Sequence, residues 1–546
     1  MDKAKLDKRF NALKSEYRKW EPAHKELSTY INPIRGQFSS TNTRGAMIDH
    51  QTLLDSHAAV ANRVLASGMQ SGMTSPMRPW FRLKVANKEK NKVPSVRQWL
   101  DEVADLMRDV SNQSNTYDVF FSMYEELGQF GTACAIILED YDKVIRLRNF
   151  TAGEYVLAMD EAGNINTFGR EFEMTVDQMV RAFGEENCSA SVQSMYTNGQ
   201  LDNNITIRHL IQPNDGADVT KGDNKNMKFK SAYWEKSGKA NQFLSETGFH
   251  EFPVLAPRWD TITTSTVYGY GPGWFACGDS KELQKTRLDR LIAQEKSYDP
   301  PMLEDSSVNG ISNYLPGGKT KTNSNAPNTG ARPAYQINPN LESMDAAING
   351  LHEKIDNHFY VNIFRMMINF DKTNMTATEV AQREQENVMM MGPLLTRVNG
   401  EMLTNYVNRL YAIMDRNFLF PEPPEEIQGM DIKIEFVSVL AQAQKAVGGI
   451  SIDRVIARIR NMAEMKPDVV DNFDFDEASR EYADNEGTPA KLMIDKQIVA
   501  KGREQRAQAQ QMMEQAAMVN QGADTAKKLS DSKMDQESIL TRMMGA

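Results

Sequence analysis

Apolar residues recur every three or four positions along most of this chain, and each such run predicts a helix with one buried face. Over residues 1–30 the face is Phe10, Leu13, Tyr17 and Trp20, and Asn32-Pro33 ends it. A second helix is expected over 50–70, carrying Leu53, Leu54, Val60, Val64 and Leu65. The stretch from Met69 to Trp80 is broken by Gly, Ser and Pro and is expected to turn Trp80 and Phe81 inward. Two more helices follow, at 94–112 (Val96, Leu100, Val103, Leu106, Met107) and 115–130 (Phe120, Met123, Tyr124, Leu127). All these faces read as core packing.

From Thr132 the period changes. ACAIILED is a short apolar run, a candidate buried strand. The next segment alternates from Val144 onward and turns at Asp160 to Gly163, as a strand meander does. TVDQMVRAFG reads as a helix, and ITIRHLIQPN, KSAYWEKSG and FPVLAPRWD as further strands. Residues 131–260 are therefore an α+β domain with mostly antiparallel strands.

The helical period returns within residues 261–416. Asp279 followed by Glu282 is a capping-box start, and Leu288, Leu291 and Ile292 follow at helical spacing. Asp299-Pro300-Pro301 stops that helix. Residues 300–340 form a long loop rich in Asn, Gly, Ser, Thr and Pro. It carries Lys319, Lys321 and Arg332 and has no acidic residue from Ser306 to Asn340. A loop of this length inside a compact domain is usually functional or disordered.

A second helix is expected from Leu341 to Phe370, with a stripe of Met344, Ile348, Leu351, Ile355, Phe359, Ile363, Met366 and Phe370. At 1.5 Å per residue it would be a rod of about 45 Å. A short break, Asp371 to Met375, precedes a third helix from Thr376, capped by Glu379. Gly392-Pro393 falls inside that helix and predicts a kink, because proline lacks the backbone donor and crowds the preceding turn. Beyond it, 421–426 reads as a linker and Ile432, Ile434 and Phe436 as a strand joining the earlier sheet. Residues 440–463 and 489–520 read as helices, and the chain from Arg503 is dense in Gln, Ala and Met.

Composition narrows the class. At 546 residues several domains are expected. No window reaches 18 apolar residues, so no membrane span is expected, and the polar N-terminus does not read as a signal peptide. Three scattered cysteines, Cys134, Cys188 and Cys277, are no disulfide framework and fit a reducing cytoplasm. A net charge of −10 argues against a repressor-like protein that grips DNA through a basic surplus.

Catalytic and cofactor patterns fail on spacing. Pro316-Gly317-Gly318-Lys319-Thr320 resembles the end of a phosphate-binding loop, but Asn313 stands where the first glycine belongs. His352-Glu353 lacks the second zinc-binding histidine, since Asp356 occupies i+4 and His358 lies off the face. In the Gly68–Gly72 run the serine is not central, as a nucleophile elbow requires. Gly269, Gly271 and Gly273 lack dinucleotide-loop spacing and read as a tight start to a helix. Asp471, Asp474 and Asp476 lack the glycine and closing glutamate of a calcium loop and read as a solvated acidic turn. Met366-Met367 and Met389 to Met391 suit either core or adaptable interface packing. No enzyme, metal or cofactor is expected.

The order of helix, long basic loop, returning rod, short loop and kinked helix resembles the portal, or head-to-tail connecting, proteins of short-tailed double-stranded DNA phages. The residues carrying the resemblance are GMTSPMRPWFRL (Gly72 to Leu83), YGYGPG (Tyr268 to Gly273) and MTATEVAQREQE (Met375 to Glu386). It implies a closed ring of twelve copies at one capsid vertex, with a channel through which DNA passes during packaging and ejection. In that scheme 1–130 is the helical part of a wing and 131–260 its α+β part. Residues 261–299 and 341–370 are stem helices, and 300–340 is a clip. Residues 371–375 are a loop facing the channel, and 376–420 the kinked helix. Residues 421–486 return to the wing, and 487–546 form a helical crown or tail. The implied partners are the terminase large subunit, the major capsid protein, a scaffolding protein, tail adaptors and double-stranded DNA, with no membrane. The location is the virion, after synthesis in the host cytoplasm. Lys319, Lys321 and Arg332 in the clip are candidates to meet phosphates or an acidic partner. Asp371, Lys372 and Asn374 would face the channel, and Gly392 and Pro393 would set the kink. The acidic balance suits a passage that DNA slides through without sticking. The competing reading is an oligomeric scaffold with helical hairpins and no motor partner.

Overall fold

The computed structural model describes residues 2–38, 53–87, 89–217, 223–238, 242–303, 332–333, 339–368, 392–427, 429–437, 455–463, 466–479 and 498–513. Internal packing divides the chain into a larger unit (1–84, 102–422 and 432–453) and a smaller one made of the remainder. No helix among the described residues is long and apolar enough to cross a membrane. Cys134, Cys188 and Cys277 are buried free thiols.

The larger unit is α+β. It opens with helices α1 (Lys3–Tyr17) and α2 (Glu21–Tyr30), where a single helix was expected. The break falls at Arg18 to Trp20, because Pro22 suits the first turn of a new helix, where its missing N–H goes unused. Helix α3 (His57–Met73) starts later than expected and runs into the Gly/Ser stretch. Leu54 and Val60 are exposed, and the buried face is instead Ala58, Ala61, Leu65, Ala66, Met69 and Met73. The reason is close approach: a Cβ on Gly128 would collide with the Asn62 amide oxygen, and one on Gly68 would enter the Phe364 ring. Trp80 and Phe81 are buried as expected, the latter opening strand β1 (Phe81–Val85). Helices α4 (Pro94–Gln113), whose residues up to Asp101 are assigned to the smaller unit, and α5 (Thr116–Phe130) match their predicted spans.

Strands β2 (Cys134–Asp140) and β3 (Val144–Phe150) form a hairpin, followed by β4 (Tyr155–Met159) and β5 (Ile165–Thr175). Short helices α6 (Val176–Phe183) and α7 (Ala190–Thr197) precede β6 (Asn204–Pro213), β7 (Phe229–Glu235), β8 (Ser245–Phe249) and β9 (Val254–Leu255). β4 to β8 make a five-stranded antiparallel meander in sequence order, and β3-β2-β9 a three-stranded sheet. Register places Phe168 opposite Ile211 and Leu210 opposite Ala232. Helix α1 packs Leu6, Phe10, Leu13 and Tyr17 on a core that includes Phe168, Leu210 and Trp234. A second core holds Val176, Met179, Val192 and Ile207 under α6 and α7. Burial of this kind contributes roughly 1.5–3 kcal/mol per large aliphatic or aromatic side chain.

The first long helix, α8 (Pro272–Tyr298), begins seven residues before the expected Asp279. Pro272 follows Gly271 at the N-cap and is preset for a first turn, so the apparent capping box lies in mid-helix. It ends before Asp299-Pro300 as predicted. Beyond come β10 (Met302–Leu303), β11 (Arg332–Pro333), α9 (Leu341–His358) and α10 (Val361–Ile368). The expected single rod is thus two helices. Tyr360 between them sits at φ +56°, a left-handed conformation that no helix propagates, and its ring stacks on Trp259 at 6.0 Å. Val361 and Phe364, not Ile363, carry the buried face onward.

Helix α11 (Gly392–Val398), a π-helical turn (Asn399–Leu403) and α12 (Thr404–Arg416) follow without a gap. β12 (Ile432–Phe436) pairs with β1 rather than with the sheet of 131–260, as expected earlier. Trp80 and Phe436 stack at 6.5 Å beside that pairing.

In the smaller unit, residues 455–463 and 498–513 are helical, inside the spans predicted for helices. Asp474 accepts from the Asp476 and Glu477 amides at 3.0 and 2.9 Å, capping a short helical turn. Exposed Asp476 pairs with Arg503, so this is an acidic turn in solvent.

The glycines ahead of α8 do more than start a helix. Gly131 ends α5 at φ +80°, and a Cβ there would strike the backbone at 269–271. Gly269 N–H donates to Thr132 Oγ1 at 2.7 Å, Trp259 N–H to Gly131 O at 2.8 Å, and Tyr270 N–H to Asp260 O at 2.8 Å. Trp274, in the first turn of α8, donates its indole N–H to Phe130 O at 2.9 Å. Gly273→Ala would press a methyl against the Gln129 carbonyl. We expect a loss of about 1–3 kcal/mol by thermal or denaturant unfolding, whereas Gly278→Ala, which meets open space inside the same helix, should stabilise by about 0.5–1 kcal/mol.

Candidate functional site, the anchored helix pair

Helices α8 and α9 pack against each other, with α3 beside them. The buried residues of α8 lie in its first half and include Ala276, Ser280, Leu283 and Gln284. Past that point it bares Leu288 (41%), Leu291 (49%) and Ile292 (37%). Both α9 and α8 supply charge to their mutual contact. The Arg290 guanidinium grips Asp345 through two bonds, of 2.5 and 3.1 Å. That hydrogen-bonded pairing holds the Asp345 carboxyl below its ordinary pKa.

The pair is anchored at Asp55, just ahead of α3. Gln284 accepts from the Leu54 and Asp55 amides (2.8 and 3.0 Å) and donates to Asp55 O (2.7 Å). The Asp55 carboxylate takes Arg287 at 2.9 Å from α8 and His352 at 3.0 Å from α9. Burial pushes its pKa up, but Arg287, the His57 amide and His352 together hold it below the ordinary value. His57 stacks on His352 with centroids 4.1 Å apart and bonds Asp356 of α9 at 2.8 Å. One turn further, His358 meets Asp279 of α8 at 3.0 Å. One carboxylate therefore ties together the start of α3 and both long helices.

The second fixed point is Arg258. It reaches Glu401 at 2.7 and 3.2 Å, while its own N–H donates to Glu401 at 2.9 Å. Its guanidinium also donates to Thr266 O and Gly163 O at 2.9 Å each. Glu401 lies within the π-helical turn, whose extra residue per turn re-aims side chains.

The basic and channel-facing candidates lie largely beyond this frame. Lys319, Lys321, Asp371, Lys372 and Asn374 lie outside the described residues. Arg332 is placed by its backbone in β11, paired with Leu303 of β10, so the two ends of 300–340 run antiparallel side by side. Gly392 opens α11 and Pro393 is its second residue, a place that tolerates proline. What precedes Gly392 is outside the described residues, and the irregularity seen in this helix is the π turn. His352 stacks on His57 and hydrogen-bonds Asp55, and among the described residues no group of three or more His, Cys, Asp or Glu could hold a metal. The pattern missed Asp55, Gln284, Arg287, Arg258 and Glu401. Asn399-Gly400 ahead of Glu401 is the one local hint of irregularity. Asp55 and Arg287 are 232 residues apart, and no periodicity joins them.

The profile of the bacteriophage head to tail connecting protein family matches residues 3–494, and the chain belongs to that family. It is 40% identical over 534 residues to a probable portal protein of Bordetella phage BPP-1, covering 98% of this chain and 96% of that relative. It is 35% identical over 546 residues to the portal protein of Salmonella phage epsilon15, covering 100% and 98%. Among solved structures, a chain from the neck of an empty gene transfer agent particle aligns at 10% identity and a TM-score of 0.37, over 74% of this chain and 86% of that one.

Asp55→Ala should cost about 2–3 kcal/mol, since it leaves Arg287, His352 and the His57 amide without their acceptor while the Gln284 contacts, made to backbone atoms, remain. A carboxyl held below its unfolded value stabilises at pH above the unfolded value of 3.8, and that contribution fades as pH falls through the folded one. The melting-temperature gap between parent and variant should therefore narrow below about pH 4.

Proposed function

We propose that this protein is the portal subunit of a phage particle. Copies close into a ring of twelve at one capsid vertex. The ring is the conduit through which a terminase large subunit drives double-stranded DNA inward and through which the genome later leaves. It is also the platform for tail adaptors. The major capsid protein and a scaffolding protein hold it in the shell, and it is made in the host cytoplasm before assembly. Its work is structural: it holds a ring and passes DNA, and makes or breaks no bond itself. Family membership over nearly the whole chain supports this reading.

The observation that carries the ring is the bare edge of α8. Leu288, Leu291 and Ile292 continue past the anchor, where no element among the described residues buries them. A helix pair held rigid at its base and apolar at its free side suits a neighbour of the same kind. Heterologous packing of such faces closes a ring when the rotation per copy divides the circle. In this scheme α8 and α9 are the stem, 300–340 the clip that meets the motor, and 371–375 the loop turned to the channel. Lys319, Lys321 and Arg332 would meet an acidic partner or phosphates there, and Lys372 would touch passing DNA briefly.

Two experiments test the reading. Purified parent protein should show rings with a central hole by negative-stain electron microscopy, and Leu291→Glu should shift most of it to monomer by native mass. A parent that stays monomeric across salt and concentration overturns the proposal. Deleting 306–338 should leave the ring intact and abolish pull-down of the terminase large subunit, and retained binding refutes the clip assignment.

A further inference from the structure

The larger unit carries a cleft of about 770 Å³ between α1, the residues after α2 and strands β3, β4 and β5, which the helix-pair site does not use. Its walls are aromatic and cationic. Arg170, 8% exposed, lies over the Phe172 ring at 4.0 Å and the Phe150 ring at 5.1 Å. Arg148 approaches the same Phe150 ring at 5.8 Å. Neither guanidinium has a carboxylate within ion-pairing distance among the described residues, and the Arg170 Nε is buried with no hydrogen-bond partner. Burial holds the Arg170 pKa below the ordinary arginine value and Arg148 adds to that, against the opposite pull of Tyr233, which hydrogen-bonds the guanidinium, and of Glu154, which attracts it without an ion-pair contact. The acids nearby are mostly engaged. Glu171 takes Lys14, Arg208 and Lys236, and Glu154 accepts the Thr151 amide at 3.0 Å. A buried cation with no carboxylate in contact is costly, so the cleft suits an anion that also offers an apolar or aromatic face.

The chain presents such a group elsewhere. At the tip of the β2–β3 hairpin Tyr141 is fully exposed, and Asp142 beside it is exposed too. The tip is built rigidly. The Asp140 carboxylate accepts from the Asp142 and Lys143 amides at 3.0 and 3.1 Å and pairs with Arg146 at 2.7 Å. Val144, which closes the turn, sits at φ +65°, a strained conformation for a β-branched residue. The strain holds a bare aromatic ring and a carboxylate in solvent. This knob stands at one end of β3, and Arg148 and Phe150 of the cleft wall stand toward its other end. Four strand steps from Val144 to Arg148 span about 13 Å and Asp142 lies beyond them in the turn, so one copy cannot fill its own cleft.

The geometry points to a head-to-tail contact between copies: Tyr141 and Asp142 of one subunit seat in the Arg148–Arg170 cleft of the next. Tyr141 enters among the phenyl rings, and Asp142 supplies the missing carboxylate to the guanidiniums. Each copy then offers the knob to one neighbour and the cleft to the other, the heterologous arrangement that a ring needs. This contact rests on the ring proposed above and assigns it residues remote from α8.

The test places Asp142→Cys and Arg148→Cys in one chain. A disulfide spans at most about 7 Å between Cα atoms, so any bond between the two must join different copies. Mild oxidation of assembled protein should give a ladder of covalent oligomers on a non-reducing gel, and each single-cysteine variant should give none. Rings that stay unlinked overturn this contact alone, whereas unlinked monomers overturn the ring reading with it. A charge exchange provides a second reading. Asp142→Arg and Arg148→Asp should each raise the concentration for half-assembly about tenfold, and the double variant should return it to within about twofold of the parent. Single variants that assemble like the parent, or a double variant no better than either, overturn the proposal.

Discussion

Backbone meets backbone at Gly131, and the rest of the larger unit is arranged around that crossing. Helix α5 ends there in a left-handed turn, strand β2 begins three residues later, and the 269–273 segment lies across both at a distance that leaves no space for a Cβ. Side chains could not set two chain segments this close, because every side chain adds thickness. Glycine removes it, and the exposed N–H and C=O groups then pair directly. The direction in which α8 leaves the body is fixed by this contact.

The second constraint is charge brought indoors and matched. Asp55 gathers Arg287 and His352 while its backbone is read by Gln284, and Arg258 spends its guanidinium on Glu401 and two carbonyls. Such groups are expensive to bury unless every donor has an acceptor, so they tolerate few alternative arrangements. The apolar surface left on α8 follows directly from these joints along the helix, and an apolar face held rigid loses less entropy on any docking.

Local pattern read much of the architecture correctly. The 3.6 period found α4 and α5, the strand alternation found the antiparallel strands within 131–260, and Asp299-Pro300 marked the end of α8. It failed where distant packing overrode it. Leu54 and Val60 looked like core, but α3 turns its small residues inward because α5 and Phe364 come too near for large ones. The stripe from Met344 suggested one rod, but Tyr360 turns left-handed beside Trp259 and divides it. Strand 432–436 was seen as a strand, yet its partner proved to be β1.

Periodicity, prolines and glycines, acting over a few neighbouring residues, determined the elements by sequence alone, along with the α+β class and the order of motifs that resembles a head-to-tail connecting protein. Those signals act within a turn or a strand, so a single chain read linearly contains them. The tertiary structure alone decided where the helix pair is anchored, which face of α8 stays bare, and that Arg170 is buried with no ion pair among the described residues. Each of these depends on groups tens to hundreds of residues apart meeting in a medium where charge is costly, and spacing along the chain carries no record of such meetings.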